Sequence, residues 1–386
     1  MRETPSFEQG PIRPPSEANS LLVRVIRNCM WNRCAFCPVY KGSKASQRDL
    51  ADILADVDAM AAAADALGGP HATSNQMLKV LKEGRVPREA YQVALFLRAG
   101  ARHVFLQDAD PCAVRPTKLV AVLERVKQRF PTVDRVTTYG RATTLARRVP
   151  ADLEALRAAG LTRVHVGLES GADEVLHEMC KGVTAEQLEV AGRRVLRAGL
   201  ELCFYVMPGL GGRRWRDRHV EGTAAVLRAV AADATPERPP MVRVRTTAVA
   251  PGTPLAEMAH VGTFDLPDDV EIAQELRDLL ELLGDARLEL RSDHVLNLLP
   301  EVAGSLPRDR ERLIAVLDRY LGLSPRLRAE FALGARLGIY RRLTDLDDAA
   351  RRAQFAAQVG GAANVEDGSA AREMLDAARE IRSRFI

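Results

Sequence analysis

Cys29, Cys34 and Cys37 fall within nine residues, in the stretch Asn28-Cys29-Met30-Trp31-Asn32-Arg33-Cys34-Ala35-Phe36-Cys37-Pro38 that follows a short apolar run. Three thiolates so close on one loop, with Gly42 soon after, can converge on a single metal centre. Three protein ligands leave such a centre one coordination position short. An open position is where chemistry takes place, whereas a structural site is closed by four ligands. A zinc knuckle would need a fourth ligand, and no Cys or His follows at the usual spacing. Three inert buried thiols fit poorly, because Trp31-Asn32-Arg33 is too polar an interleaving for a core strand. The remaining reading is an iron–sulfur cluster held by three cysteines.

Such ligands need elements to hold them. Up to about residue 256 the chain alternates short β-like runs with helical stretches. Strands are expected at Leu21–Ile26, His103–Gln107, Arg135–Tyr139, Arg163–Gly167, Leu202–Val206 and Val242–Val249, each rich in Val, Phe, Tyr or Thr. Helices are expected between them at Thr117–Arg129, Ala151–Ala159, Thr184–Ala198 and Arg218–Ala232. Three helical stretches end in Ala99-Gly100, Ala159-Gly160 and Ala198-Gly199, the common left-handed cap, and a strand follows each.

Regular β-α alternation argues for a parallel sheet. Six β-α units are fewer than an eightfold barrel needs, so the expected fold is α/β, a partial (β/α)6 TIM-like barrel. The long connection from the first strand to the second carries the cysteine loop, a helix at Gln47–Ala66 and another at Arg88–Arg98, with a break at Gly68–Pro70. After Pro251-Gly252-Thr253-Pro254 the texture changes. Glu271–Leu283, Arg308–Leu321, Pro325–Arg342 and Ala370–Arg384 read as amphipathic helices, with no strand signal of comparable strength. The expected organisation is an N-terminal tail (1–20), a core barrel (21–256) and a mostly helical C-terminal domain (257–386).

Composition bounds the function classes. With 386 residues, 47% hydrophobic and 27% charged, the chain can bury a sizeable core. A net charge of +4 gives no mandate for nucleic-acid or membrane binding. No apolar run approaches a membrane span. Met1–Ser20 is polar and lacks an apolar stretch, so it is expected not to be a secretory signal. Six cysteines without such a signal, three of them clustered, favour a cytoplasmic protein with metal binding or catalysis over a disulfide framework.

The cysteine loop directly after the first strand, with the aromatic Phe36 before its third cysteine, resembles the radical S-adenosylmethionine (SAM) superfamily. Its nearest likeness is to members around the oxygen-independent coproporphyrinogen oxidases and the methylthiotransferases. The resemblance covers roughly residues 21–256. It implies a 4Fe–4S cluster on Cys29, Cys34 and Cys37, with SAM chelating the fourth iron. The spacing here is four residues and then two, where the family usually has three and then two.

The resemblance extends to successive strand ends. Gln107-Asp108-Ala109-Asp110-Pro111 stands where the family usually carries Gly-Gly-Glu-Pro, which implies that Asp108 or Asp110 receives the methionine amino group. Tyr139-Gly140-Arg141 offers a donor for the SAM carboxylate. Val166-Gly167-Leu168-Glu169-Ser170-Gly171 is very like a Gly-Leu-Glu-Ser-Gly stretch of many members, with Glu169 on ribose hydroxyls or the amino group and Ser170 beside it. Met207-Pro208-Gly209 is similar to the segment that flanks adenine, and Ala250–Pro254 is again a familiar ending. Barrel active sites assemble at C-terminal strand ends. Taken singly, Glu169 and Ser170 also suit a helix N-terminus, and Asp108 and Asp110 also suit a turn before Pro111.

The implied activity is reductive cleavage of SAM to a 5′-deoxyadenosyl radical that takes hydrogen from a substrate the sequence does not identify. The implied partners are a small-molecule substrate and a reductant such as a flavodoxin or ferredoxin, with no membrane. Two other readings stay open, a radical SAM enzyme acting on RNA and a non-catalytic iron–sulfur or zinc protein. The stretch Arg213-Arg214-Trp215-Arg216-Asp217-Arg218-His219 is either solvated surface or a clamp on an anionic substrate with Trp215 as stacking surface. Cys203 reads as core, and Cys112 as filler, a resolving thiol or a ligand of a second cluster. Ser292 or Asp293 reads as a helix N-cap, which would put His294 and Asn297 on one helical face.

Overall fold

The computed structural model describes residues 5–359 and 368–383. Arg384, expected at the end of the last helix, lies outside the described residues. The fold class is α/β, with a mostly parallel sheet and the strand–helix alternation of a partial (β/α)6 barrel. The strands of the main sheet are β1 (Leu21–Arg24), β2 (His103–Gln107), β3 (Arg135–Tyr139), β4 (Leu161–Glu169), β5 (Glu201–Val206), β6 (Met241–Val244), β7 (Leu288–Arg291) and β8 (Gly304–Leu306). The helices that follow β1 are α1 (Leu50–Ala66), α2 (Ser74–Lys82) and α3 (Ala90–Arg98). Then come α4 (Pro116–Arg129), α5 (Ala142–Leu145), α6 (Pro150–Ala159), α7 (Asp173–Glu178), α8 (Ala185–Arg197), α9 (Arg216–Ala231), α10 (Pro254–His260) and α11 (Asp269–Leu283).

The chain divides into two compact units, whose boundary runs through the cysteine loop, β4, α8 and β5. In the first unit (1–32, 39–167 and 190–203) the strand order is β1-β2-β3-β4-β5, with β1, β2, β3 and β4 pairing in parallel. Alternation sorts the side chains. Val104, Leu106, Val136, Val164 and Val166 turn one way into an apolar layer and are all buried. Phe105, Thr137, Tyr139, Arg163 and His165 turn the other way. The rings of Phe105, Tyr139 and His165 meet edge to face at 5.1, 5.8 and 6.3 Å. The capping glycines behave as expected: Gly100, Gly160 and Gly199 all hold positive φ.

Residues 7–20 pack onto this unit. The Gln107 side-chain amide clasps the Gly10 backbone, accepting from its N–H (2.8 Å) and donating to its carbonyl (3.0 Å). Glu17 is fully buried and accepts from Ser20 Oγ and Arg135. Glu8 is shared among Arg24, Arg27 and Arg48, so this stretch is tied by charge pairs as well as by the apolar Phe7.

The second unit (33–38, 168–189 and 204–386) has the order β4-β5-β6-β7-β8. Here the structure corrects the C-terminal reading, because β7 and β8 are strands. β7 pairs with β6 in parallel and β8 turns back antiparallel on β7. Leu288-Glu-Leu-Arg does alternate, but over four residues only, and β8 is shorter still. β6 also stops at Val244, five residues before its expected end. Its continuation is intercepted by Asn297, whose side chain accepts from Thr246 N–H (3.0 Å) and donates to the Val244 carbonyl (2.8 Å). Asn297 and His294 are therefore not on a helix, and Asn297 is buried as a strand terminator. Burial and the nearby Arg245 cation hold His294 down to about 4. Four further helices complete the described chain: α12 (Arg310–Gly322), α13 (Pro325–Arg336), α14 (Ala349–Val359) and α15 (Gly368–Ser383).

The closest backbone approach in this unit fixes the turn after β4. A Cβ built on Gly222 of α9 would lie 2.5 Å from the Gly171 carbonyl oxygen, and one on Gly171 would lie 2.2 Å from that of Gly222. Neither backbone can yield cheaply. Gly222→Ala is expected to cost about 1–3 kcal/mol, read as a lowered urea midpoint of the cluster-free protein; an unchanged midpoint would contradict this packing.

Candidate functional site

In the first unit the cysteine loop leaves β1 through two asparagines in left-handed conformation, Asn28 (φ 64°) and Asn32 (φ 41°). Asn is among the few residues that adopt it at low cost. Asn32 N–H points at Cys29 Sγ (3.4 Å), its side chain donates to the Tyr40 carbonyl (2.6 Å), and Lys41 Nζ donates to its carbonyl (3.2 Å). The four-residue gap after Cys29 thus ends in a pinned turn at Asn32.

Asp108 anchors both sides of that loop. Its side chain is fully buried and accepts from Arg24 Nε on β1 (2.6 Å) and from the Tyr40 hydroxyl (2.6 Å). Arg24 also donates to Asn28 Oδ1 (3.1 Å). Burial and the Asp108 carboxylate push the Tyr40 phenol far above its usual range, so it remains a donor. Asp110 lies in the same turn, buried, accepting from Arg141 N–H (3.0 Å) and the Thr144 hydroxyl (2.5 Å). Both carboxylates are thus occupied within the protein. Arg141 lies over the Trp31 ring at 5.0 Å and so couples the end of β3 to the cysteine loop. Tyr139 belongs to the aromatic trio on the same face. Cys112 is buried beside Gly140, and burial pushes its thiol up, which fits packing rather than reactivity.

In the second unit Cys34–Pro38 opens with a turn, in which Cys37 N–H donates to the Cys34 carbonyl (3.3 Å). Ala35 N–H donates to the Met179 carbonyl (2.9 Å), and the Ala35 carbonyl accepts from Leu255 N–H (3.0 Å). Ala35 and Phe36 pack with Val175, Met179, Met207, Leu210, Leu255 and Phe264. Glu169 ends β4 at φ 62°, a strained position for a residue with a side chain. Its carboxylate pairs with Lys181 Nζ (2.9 Å), which lies 5.8 Å from the Phe36 ring centroid. Its carbonyl accepts from Met207 N–H (3.0 Å), which ties the ends of β4 and β5 together. Ser170 is fully buried, and Gly209 turns at φ 83° directly after Pro208.

The arginine stretch after β5 is not free. Arg213 bonds Asp265 and Glu271, and Arg216 bonds Asp217 and Asp278. Trp215 packs on the apolar cluster with the Arg214 guanidinium 4.7 Å over its ring, so its stacking face is already taken. His219 is a buried residue of α9. Tyr40, Asn32, Lys181, His219 and Glu275 carry much of this architecture, and sequence reasoning did not single out their roles. Only Glu275 had a readable signal, as an acid on the apolar Ile272, Leu276, Leu279 face of α11.

A family model described as the Radical SAM superfamily matches residues 23–221. The chain belongs to the radical SAM superfamily. As an enzyme of that family it uses a 4Fe–4S cluster and SAM. Cys29, Cys34 and Cys37 form no disulfide and are partly exposed, and the N–H···S contact to Cys29 is of the kind that tunes cluster thiolates. As a donor set, three available thiols suit an iron–sulfur cluster. Among the described residues, no three His, Cys, Asp or Glu side chains stand close enough to hold a metal as they lie.

Among solved structures, the chain is similar to the cobalamin-dependent SAM radical enzyme OxsB (14% identity, TM-score 0.44), covering 95% of this chain and 54% of that one. It is also similar to the radical SAM methyltransferase TsrM from Kitasatospora setae (15%, TM-score 0.44, covering 98% and 65%). A third likeness is to methylornithine synthase, PylB (16%, TM-score 0.42, covering 77% and 68%). The chain spans about half the length of OxsB. A comparison with curated proteins gave no match. No described helix is long and apolar enough to cross a membrane.

Two outcomes follow from this geometry. Asp108→Ala takes one acceptor from Arg24, which keeps Glu8 and Asn28, and takes the acceptor of the buried Tyr40 hydroxyl; it is expected to cost about 1–3 kcal/mol in the cluster-free protein, measured by chemical denaturation, and full retention of stability would show these bonds to be dispensable. Burial pushes the Asp110 carboxyl from 3.8 up to about 6, opposed by its hydrogen bonds to Thr144 and Arg141. The folded state therefore takes up a proton between those values. The stabilising contribution is full below about pH 4 and is lost as pH rises through 6, on the order of 2–3 kcal/mol. Asp110→Asn is expected to flatten the stability profile over that window, and an unaltered profile would place the titration elsewhere.

Proposed function

We propose that this enzyme cleaves SAM reductively and uses the resulting 5′-deoxyadenosyl radical to abstract hydrogen from a small-molecule substrate. The supporting observation is the loop Cys29–Cys37, three cysteines outside any disulfide, shortly after β1 in a chain of this family. In this reading Cys29, Cys34 and Cys37 ligate the cluster. When bound, the cluster supplies the electron that splits SAM into methionine and the radical.

The chain's own residues do the rest. Arg141 is a fixed cation for the methionine carboxylate, oriented by Trp31. Glu169, held in its strained turn and paired with Lys181, offers a carboxylate to amino or ribose hydrogens, with Ser170 supporting that turn. Met207, Pro208 and Gly209 present an apolar edge and backbone groups to adenine. Asp108 and Asp110 shape the turn after β2, and Tyr139 lines the inner face. Holding SAM by several fixed groups is what keeps a reactive radical next to one substrate hydrogen and away from water. A flavodoxin- or ferredoxin-like donor would supply the electron, in a cytoplasmic setting. The RNA-acting alternative loses support because Arg213 and Arg216 are already paired with carboxylates.

The test is anaerobic reconstitution with iron and sulfide, followed by incubation with SAM and dithionite. 5′-Deoxyadenosine and methionine are expected, and Cys34→Ala is expected to abolish both the cluster absorbance and these products. A fully loaded cluster that yields no 5′-deoxyadenosine would overturn the reading.

A further inference from the structure

We propose that His219 and Glu275 are positioning residues for SAM, acting through a buried relay that fixes the Glu169–Gly171 turn against the Met207–Gly209 turn. This rests on the reading above that both turns face SAM. The relay lies wholly in the second unit, and its side chains are buried: Ser170 is 0%, His219 2% and Glu275 3% exposed. Ala172 N–H donates to Ser170 Oγ (3.1 Å), and Ser170 Oγ lies 2.8 Å from His219 Nδ1. On the far side of the ring, Nε2 faces Glu275 Oε1 at 3.3 Å, and that same oxygen accepts from Gly209 N–H (2.8 Å).

The chemistry of the groups sets a direction. Ser170 Oγ already accepts from Ala172, and Nδ1 stands to take its hydroxyl proton. The ring then carries its own proton on Nε2, aimed at Glu275. With this tautomer every donor meets an acceptor, whereas the other neutral tautomer would set the Nε2 lone pair against the Glu275 oxygen. The carboxylate end of this chain holds a backbone N–H of the β5 turn, and its hydroxyl end holds the residue next to Glu169.

Position matters here because the first turn is conformationally costly and the second, on a glycine, is free to move unless it is held. Glu169 sits at φ 62° and Gly209 at φ 83°. Gly171, one residue beyond Ser170, is clamped by Thr223 Oγ1 (3.0 Å) and by the close approach of Gly222. Such conformations persist only where the surroundings over-determine them. A small cavity lined by His219, Glu275, Pro208 and Thr223 adjoins the relay. A break anywhere in the relay should therefore release the Glu169 and Gly209 turns together.

The test is a double-mutant cycle on SAM binding, by equilibrium dialysis of anaerobically reconstituted protein without reductant. Iron content and thermal midpoint are recorded for each variant. Ser170→Ala and Glu275→Gln, which do not touch each other, are each expected to weaken SAM about tenfold, the effect of one hydrogen bond to a charged or polarised partner. The double variant is expected to lose no more than either single, because one relay is broken once. His219→Gln is expected to recover part of what His219→Ala loses, and it replaces Glu275→Gln in the cycle if that variant does not fold. Singles that leave the dissociation constant unchanged, or a double that loses about a hundredfold as the product of independent effects, would overturn the relay. If the wild type loads its cluster yet binds no SAM, the proposed function fails instead, and the two failures are distinct.

Discussion

One buried carboxylate decides where the cysteine loop can lie. Asp108 takes a guanidinium from β1 and a hydroxyl from Tyr40, and so fastens the chain just before Cys29 and just after Cys37. A carboxylate buried this completely is tolerable only because both oxygens meet strong donors. Removing Arg24 would leave that charge without its cation, and removing Tyr40 would leave one oxygen without its donor, so the pairs cannot be exchanged piecemeal. Fifteen residues lie between Arg24 and Tyr40, and the segment closed between them turns in left-handed conformation at Asn28 and Asn32. Metal chemistry on three thiols depends on that closure, since ligands on a slack loop would pay conformational entropy to gather.

The second unit solves a similar problem by other means. Its pieces near Cys34 and Cys37 are held by two backbone hydrogen bonds on Ala35 and an apolar cluster, which is non-directional and tolerant. The turns after β4 and β5 are instead held by directional contacts: Met207 N–H on the Glu169 carbonyl, Lys181 on the Glu169 carboxylate, and the Ser170–His219–Glu275 chain. Apolar packing fills space, while hydrogen bonds fix angles. Residues that must present a carboxylate or a carbonyl at a set position need the second kind.

The strand–helix order of the first six strands was legible because each strand carries an alternating or β-branched run and three of the preceding helices end in a glycine cap. His103–Gln107 and Arg135–Tyr139 match to the residue. What escaped were elements whose signal is tertiary. β7 and β8 are too short for a period to register, and β6 ends early because a side chain some fifty positions further along, rather than anything local, intercepts its ladder. The arginine stretch read as either solvated surface or a clamp because its partners, Asp265, Glu271 and Asp278, are distant in sequence. Likewise Asp108 read as a ligand-binding turn residue, since nothing near it in sequence announces Arg24 or Tyr40. The cysteine loop was legible for the opposite reason: its ligands are all local, and their spacing is the signal.

The central claim is that three thiolates hold a cluster whose fourth iron is left for SAM. The most direct measurement is Mössbauer spectroscopy of protein reconstituted with iron-57, before and after SAM is added without reductant. The account predicts a 4Fe–4S spectrum in which one iron site in four shifts on SAM addition while the other three stay put. A spectrum unchanged by saturating SAM, or one showing four equivalent protein-ligated irons, would contradict it.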